Sequence, residues 1–139
     1  QKGEIIAASF SKPPVLPHPG YLSTKFSSHH PGIDIASGLG MPIHPVTSGE
    51  VIAAGFDIFG LGNNVTVLHE NGFVSKYAHL GRIYVKKGQK ITSENTIGEV
   101  GMTGKTSGPH THLEITKDGQ WIDPQTILPE LSPMPLSTF

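Results

Sequence analysis

The chain has 139 residues, enough for one domain with a buried core. Ten Lys+Arg against eleven Asp+Glu leave a net charge of −1 with histidine neutral, which excludes a nucleic-acid partner held by basic charge. With no cysteine, disulfides, thiolate metal sites and a cysteine nucleophile are excluded too, and no run of about 18 apolar residues is present to span a membrane. Seventeen glycines and twelve prolines predict an all-β chain of short strands and many turns. The eight histidines are unusual for this length and are not a tag run. A chain opening on Gln1 reads as a mature or trimmed piece.

Residues 1–28 begin with a short apolar piece, Ile5-Ile6-Ala7-Ala8, followed by Pro13-Pro14 and Pro17-His18-Pro19-Gly20. Proline at this density predicts a lead-in lying over the domain surface, with His18 as a loop residue. In His29-His30-Pro31-Gly32-Ile33-Asp34-Ile35-Ala36 a Pro-Gly turn precedes a strand. Its period of two turns Ile33 and Ile35 one way and Asp34 the other. His30 arrives beside Asp34 from the turn, and His29 is expected to face solvent.

From Met41 to Val100 the pattern is short strands and turns, with no amphipathic helix of ten residues. Asn71-Gly72 predicts a hairpin between a strand ending near His69 and one running from Phe73 to His79. On the returning strand Phe73, Ser75, Tyr77 and His79 share a face, and His79 falls at a rim before Leu80-Gly81. His44 and His69 read as structural or surface. The segment His110-Thr111-His112-Leu113-Glu114-Ile115 is a strand with His110, His112 and Glu114 on one face and Thr111, Leu113 and Ile115 on the other. Lys117-Asp118-Gly119-Gln120 is a hairpin turn. Asp123-Pro124 is an N-cap and N1 pair opening one short helical turn. The end of the chain, with Pro129, Pro133 and Pro135, reads as a loosely attached tail.

Two imidazoles two residues apart on a strand lie about 6.5–7 Å apart, so one can ligate a metal while the other reaches the water beside it. A catalytic zinc site takes three N or O ligands and keeps one position open. His30, Asp34 and one histidine of the His110/His112 pair supply two imidazoles and a carboxylate. The other histidine of the pair and His79 are then placed to move protons or meet an oxyanion.

His30-Pro-Gly-Ile-Asp34, Gly62-Asn63-Asn-Val-Thr-Val-Leu-His69, Tyr77-Ala-His79-Leu80, Gly88-Gln89-x-Ile91, Thr103-Gly104-x-x-Ser107-Gly108-Pro109-His110-x-His112-x-Glu114-Ile115 and Asp123-Pro124 occur in this order. Together they resemble the lysostaphin-type zinc endopeptidases, bacterial enzymes that cut peptide bonds in peptidoglycan. The resemblance covers roughly residues 22–128, leaving 1–21 as a lead-in and 129–139 as a tail. It implies an antiparallel β-sheet domain with little or no helix and a groove over the metal. By that resemblance His30, Asp34 and His112 match the ligands of one Zn²⁺, and His79 and His110 match the two catalytic histidines. Asn63 matches a residue near the site in some relatives. With Tyr77, from the Tyr-Ala-His motif, it is a candidate substrate contact. A monomer acting on peptidoglycan peptides in the periplasm, outside the cell or at the cell wall is implied.

Thr111 and Leu113 depart from the family pattern, which has a hydrophobic residue between the paired histidines and an aromatic after them. Both point away from the metal, so altered core packing is expected. The alternative reading is a regulatory module that keeps its metal but only activates a cell-wall amidase. Many such relatives have lost ligands, whereas all five positions are kept here.

Overall fold

The computed structural model describes residues 10–135. The apolar piece Ile5-Ile6-Ala7-Ala8 and the last four residues lie outside that range. Ten strands form one antiparallel sheet: β1 (Tyr21–Thr24), β2 (Ile33–Ala36), β3 (Pro42–Ile43), β4 (Gly49–Asp57), β5 (Gly62–Leu68), β6 (Phe73–Ile83), β7 (Lys90–Ile91), β8 (Gly98–Val100), β9 (His110–Lys117) and β10 (Gln120–Ile122). The main path runs β1-β2-β9-β6-β5-β4-β7, with β10 folded back on β9 and with β8 joining β3 to the far half of β6. Two 3₁₀ turns, Glu70–Gly72 and Pro124–Thr126, are the only helical elements among the described residues. The expected all-β antiparallel fold is what is observed.

Alternation explains which face is buried. Ile33 and Ile35 of β2, Thr111, Leu113 and Ile115 of β9, Phe73, Ser75 and Tyr77 of β6, and Val65 and Val67 of β5 all point into one core. The opposite face of β2, β9 and β6 carries the polar residues. Asn71 and Gly72 both adopt positive φ, at 57° and 79°, which is how an Asn-Gly pair turns β5 into β6. Asp123 accepts a hydrogen bond from Gln125 N–H and Pro124 opens the last turn, as its cap sequence predicts.

The flanking segments are more firmly attached than their proline content predicts. Tyr21–Thr24 follows the prolines and pairs with β2 as an edge strand. Phe10, Pro14, Pro17 and His18 are buried, and Phe10 stacks on Phe73 with ring centroids 4.3 Å apart. In the tail, Leu131 joins the core, while Leu22 N–H donates to Ser132 O and Met134 N–H donates to Leu22 O. Proline removes a donor but leaves its carbonyl and its apolar ring available, so both segments still pack and still pair.

His18, expected as a loop residue, and His69, expected as structural or surface, are both buried structural groups. His18 meets Thr111 Oγ1 at 2.8 Å through Nε2 and Pro19 O at 2.7 Å through Nδ1. It thereby partners the hydroxyl that Thr111 carries into the core. His69 bridges Ser48 O at 2.8 Å and Ser75 Oγ at 2.7 Å. Burial pushes both imidazoles below the ordinary histidine value. A folded pKa below the unfolded one means that the unfolded chain binds more protons as pH falls through about 6.5, so stability is full above that value and is lost below it. Thermal midpoints of the metal-free protein should therefore fall between about pH 7 and pH 5, and fall less in His69→Gln. An unchanged midpoint over that window would overturn this reading.

Candidate active site

The Asp34↔His112↔Ala78 row of cross-strand partners runs across β2, β9 and β6 on the polar face. It sets the Asp34 carboxylate against His112, with Oδ1 2.8 Å from Nδ1. His30, presented by the Pro31-Gly32 turn, brings Nε2 to 3.3 Å from Asp34 Oδ2. His110, one pleat before His112, places Nε2 3.7 Å from Asp34 Oδ1. One ligand atom from each of His30, Asp34 and His112 lies within 4.8 Å of the others.

His79 reaches the same cleft by a route that simple alternation misses. Continued regularly, β6 would send His79 into the core with Phe73, Ser75 and Tyr77. The β5–β6 register instead shifts between the pairs Asn63↔Leu80 and Val65↔Tyr77, and His79 takes φ 65°. This bulge carries an extra residue and turns the imidazole out of the core, while Leu80 resumes core packing. A left-handed histidine is uncommon and strained, and here its N–H donates to Leu61 O at 2.8 Å to hold it. The rings of His79 and His110 lie 4.9 Å apart, and those of His79 and His112 6.1 Å.

The hydrogen bonds assign the tautomers, since a carbonyl only accepts. Nδ1–H of His30 donates to Gly32 O at 2.7 Å, that of His79 to Thr103 O at 2.9 Å, and that of His110 to Gly108 O at 2.9 Å. His112 differs, with Nδ1 2.8 Å from Asp34 Oδ1 and Nε2 2.9 Å from Glu114 Oε2, so both its nitrogens face a carboxylate. Three imidazoles thus present a bare Nε2 to one cleft, and His112 turns Nδ1 toward it.

The electrostatics favour a cation there. Burial resists ionisation of Asp34, but the hydrogen bond from His112 and the fields of His110, His112 and His30 hold its carboxyl below the ordinary value. Burial also opposes charge on His112, yet the hydrogen bonds to Asp34 and Glu114 outweigh it and push the imidazole up to about 9. Two carboxylates flanking one imidazole select positive charge at this point. A divalent ion on His30, Asp34 and His112 would supply it with the imidazoles neutral, and this N₂O donor set suits zinc. Burial lowers His79, and its bond to the Thr103 carbonyl offsets this only in part.

The cleft is further lined by two adjoining loops, Phe59, Gly60 and Leu61 of the β4–β5 turn and Lys105, Thr106 and Ser107. Phe59 is 89% exposed. The two loops are stitched together beside His79. Gly62, at φ 65°, lies so close to the 103–104 backbone that a Cβ would fall 2.4 Å from Thr103 C, so only glycine fits. Lys105 N–H also donates to Gly60 O at 2.8 Å. Phe59, Leu61, Lys105 and Thr106 lie on loops without a periodic signal. Thr103 and Gly104, by contrast, fall within the Thr-Gly-x-x-Ser-Gly-Pro-His motif.

Two expected substrate contacts are placed elsewhere. Tyr77 is wholly buried, its hydroxyl bonded to Val46 N–H at 2.9 Å and Ser75 Oγ at 2.7 Å, so it cannot touch a substrate. The reason is strand parity: Tyr77 lies before the bulge and keeps the core face. Asn63 lies outside the cleft lining, its Nδ2 donating to Gly81 O at 3.3 Å and its backbone N–H to Thr103 Oγ1 at 2.9 Å. His29 is exposed, as expected.

Comparison with known proteins identifies the family and the fold. The model of peptidase family M23 matches residues 28–124. The peptidoglycan DD-endopeptidase ShyC of Vibrio cholerae is 37% identical over 98 residues, covering 70% of this chain and 22% of that protein. Among solved structures, a zinc-containing peptidase from Vibrio cholerae superposes with TM-score 0.75 at 27% identity, covering 88% of this chain and 40% of the other. The catalytic domain of the antimicrobial peptidase lysostaphin from Staphylococcus simulans gives TM-score 0.66 at 27% identity, covering 76% of this chain and 87% of the other. The chain spans between 22% and 39% of the length of its curated relatives. With a family match running from just before His30 to just past Asp123, this chain belongs to peptidase family M23.

Proposed function

We propose that the chain is a zinc-dependent endopeptidase hydrolysing peptide bonds in bacterial peptidoglycan, in cross-bridges or stem peptides. His30, Asp34 and His112 hold the metal in this reading, and His79 and His110 are the catalytic histidines. The observation that carries it is the convergence of His30, Asp34, His79, His110 and His112 on a single cleft. When bound, zinc supplies Lewis acidity, polarising the scissile carbonyl and acidifying water.

The protein's own groups do the rest. His79 and His110 face each other across the open side of the His30-Asp34-His112 cluster, each with Nε2 free and Nδ1–H tied to a carbonyl. Each can therefore accept a proton at Nε2, or donate a hydrogen bond from it to an oxyanion once protonated, without losing its orientation. Thr106 Oγ1, 3.1 Å from His110 Nδ1, adds a second hold on that ring. Phe59 and Leu61 offer apolar surface and Lys105 to Ser107 polar surface in the same cleft, against which an extended peptide can lie. A module serving only to activate an amidase needs no proton-handling pair in the cleft, and both histidines are here. In this reading the chain acts as a monomer outside the cytoplasm, in the periplasm or at the wall.

The test is to incubate zinc-loaded protein with purified peptidoglycans of different cross-link chemistry and to follow new amino termini by mass spectrometry. Release of peptide fragments with free amines is expected. Absence of cleavage across the whole panel, together with stimulation of an added amidase, would replace this reading with the regulatory one.

A further inference from the structure

We propose that Glu114 is a positioning residue for the metal centre, orienting His112 through Nε2 and itself held by Trp121. The inference rests on His112 being a ligand, as proposed above. Glu114 follows His112 by two residues on the same face of β9, and its Oε2 lies 2.9 Å from His112 Nε2. Its other oxygen, Oε1, is 3.3 Å from Trp121 Nε1 on β10, and Lys76 is its cross-strand partner on β6. The carboxylate is thus gripped on the side away from His112 and presented to it on the other.

The chemistry follows from what a ligand imidazole needs. Nδ1 of His112 points at Asp34, so for that nitrogen to donate its lone pair the proton must sit on Nε2. An acceptor at Nε2 fixes that tautomer and the ring plane, and a carboxylate also raises the basicity of Nδ1. Of the four imidazoles in the cleft, His30, His79 and His110 rest on backbone carbonyls. His112 rests on a charged side chain, and that side chain is anchored by the β9–β10 hairpin. The hairpin becomes an outer brace of the centre, with Trp121 at its far end.

The experiment measures zinc affinity by chelator competition for the native chain, Glu114→Gln, Glu114→Ala and Trp121→Phe, with the thermal midpoint of each zinc-free protein as the check on folding. Loss of about 10–100-fold in affinity is expected for Glu114→Ala. Glu114→Gln should lose less, because its amide oxygen still accepts from Nε2–H. Trp121 is the only tryptophan in the chain, so its fluorescence should respond to zinc in the native protein and not in Glu114→Ala. ¹⁵N spectra of the zinc-loaded native protein should show His112 protonated at Nε2. Native affinity in both Glu114 variants, with or without a lowered midpoint, overturns the proposal and leaves the metal site standing. Failure of the native chain to bind zinc overturns both.

Discussion

Asp34→Asn and His112→Ala should each lose zinc binding and hydrolysis together, while His110→Ala keeps the metal. Removing even an outer partner of a ligand weakens affinity about 10–100-fold, so loss of a ligand should exceed that and leave the metal unbound at micromolar concentration. Asn keeps the size of Asp34 but not its charge. It therefore tests the charge that holds the three imidazoles together in preference to the shape of the site. The contrast between His112 and His110 tests which histidine of the strand is the ligand. Nδ1 of His112 stands 2.8 Å from Asp34 Oδ1, against 3.7 Å for Nε2 of His110. Metal content after dialysis and peptide release from peptidoglycan are the two readouts. A chelator should abolish activity in the native protein, and added zinc should restore it. If His112→Ala retained one equivalent of zinc and His110→Ala did not, the ligand assignment would have to be exchanged.

Where a strand is regular, the period of two in the sequence locates its side chains correctly. Ile33 and Ile35 are buried with Asp34 opposite, and Thr111, Leu113 and Ile115 are buried with His110, His112 and Glu114 opposite. The Asn71-Gly72 turn and the Asp123 cap are equally legible, because their conformations depend on residues within a few positions. His79 shows the limit. Its bulge depends on the pairing of β6 with β5 and on the closure of the loop at Thr103, neither of which leaves a periodic trace. The same parity argument that would have buried His79 correctly buries Tyr77, and the candidate substrate contact fails for that reason. His18 shows the converse. A histidine between two prolines has no local reason to be inside, and it is buried because Thr111, 93 positions away, brings a hydroxyl into the core. The cleft walls, Phe59 to Leu61 and Lys105 to Ser107, are irregular backbone whose placement is tertiary.

His79→Ala and His110→Ala should each reduce turnover by about 10²–10⁴-fold, the span typical of a lost acid–base group, while zinc binds with native stoichiometry. Neither side chain makes the closest contacts to Asp34, so removing it leaves the His30-Asp34-His112 cluster intact. At position 79 the substitution needs a control. The backbone there has φ 65°, a conformation alanine tolerates poorly, so lost activity could also come from a relaxed bulge. His79→Asn serves, since asparagine adopts the left-handed region more readily. It should keep the native thermal midpoint and still lose turnover, because its amide cannot shuttle a proton. The two histidines face each other with ring centroids 4.9 Å apart, close enough to share one reacting group. The double variant should therefore lose less than the product of the two single losses, as groups acting as a unit do. Multiplicative losses would mean that the two act on separate steps. Full activity in both His79→Asn and His110→Ala, with zinc bound, would remove them from the chemistry altogether and leave hydrolysis to the metal centre.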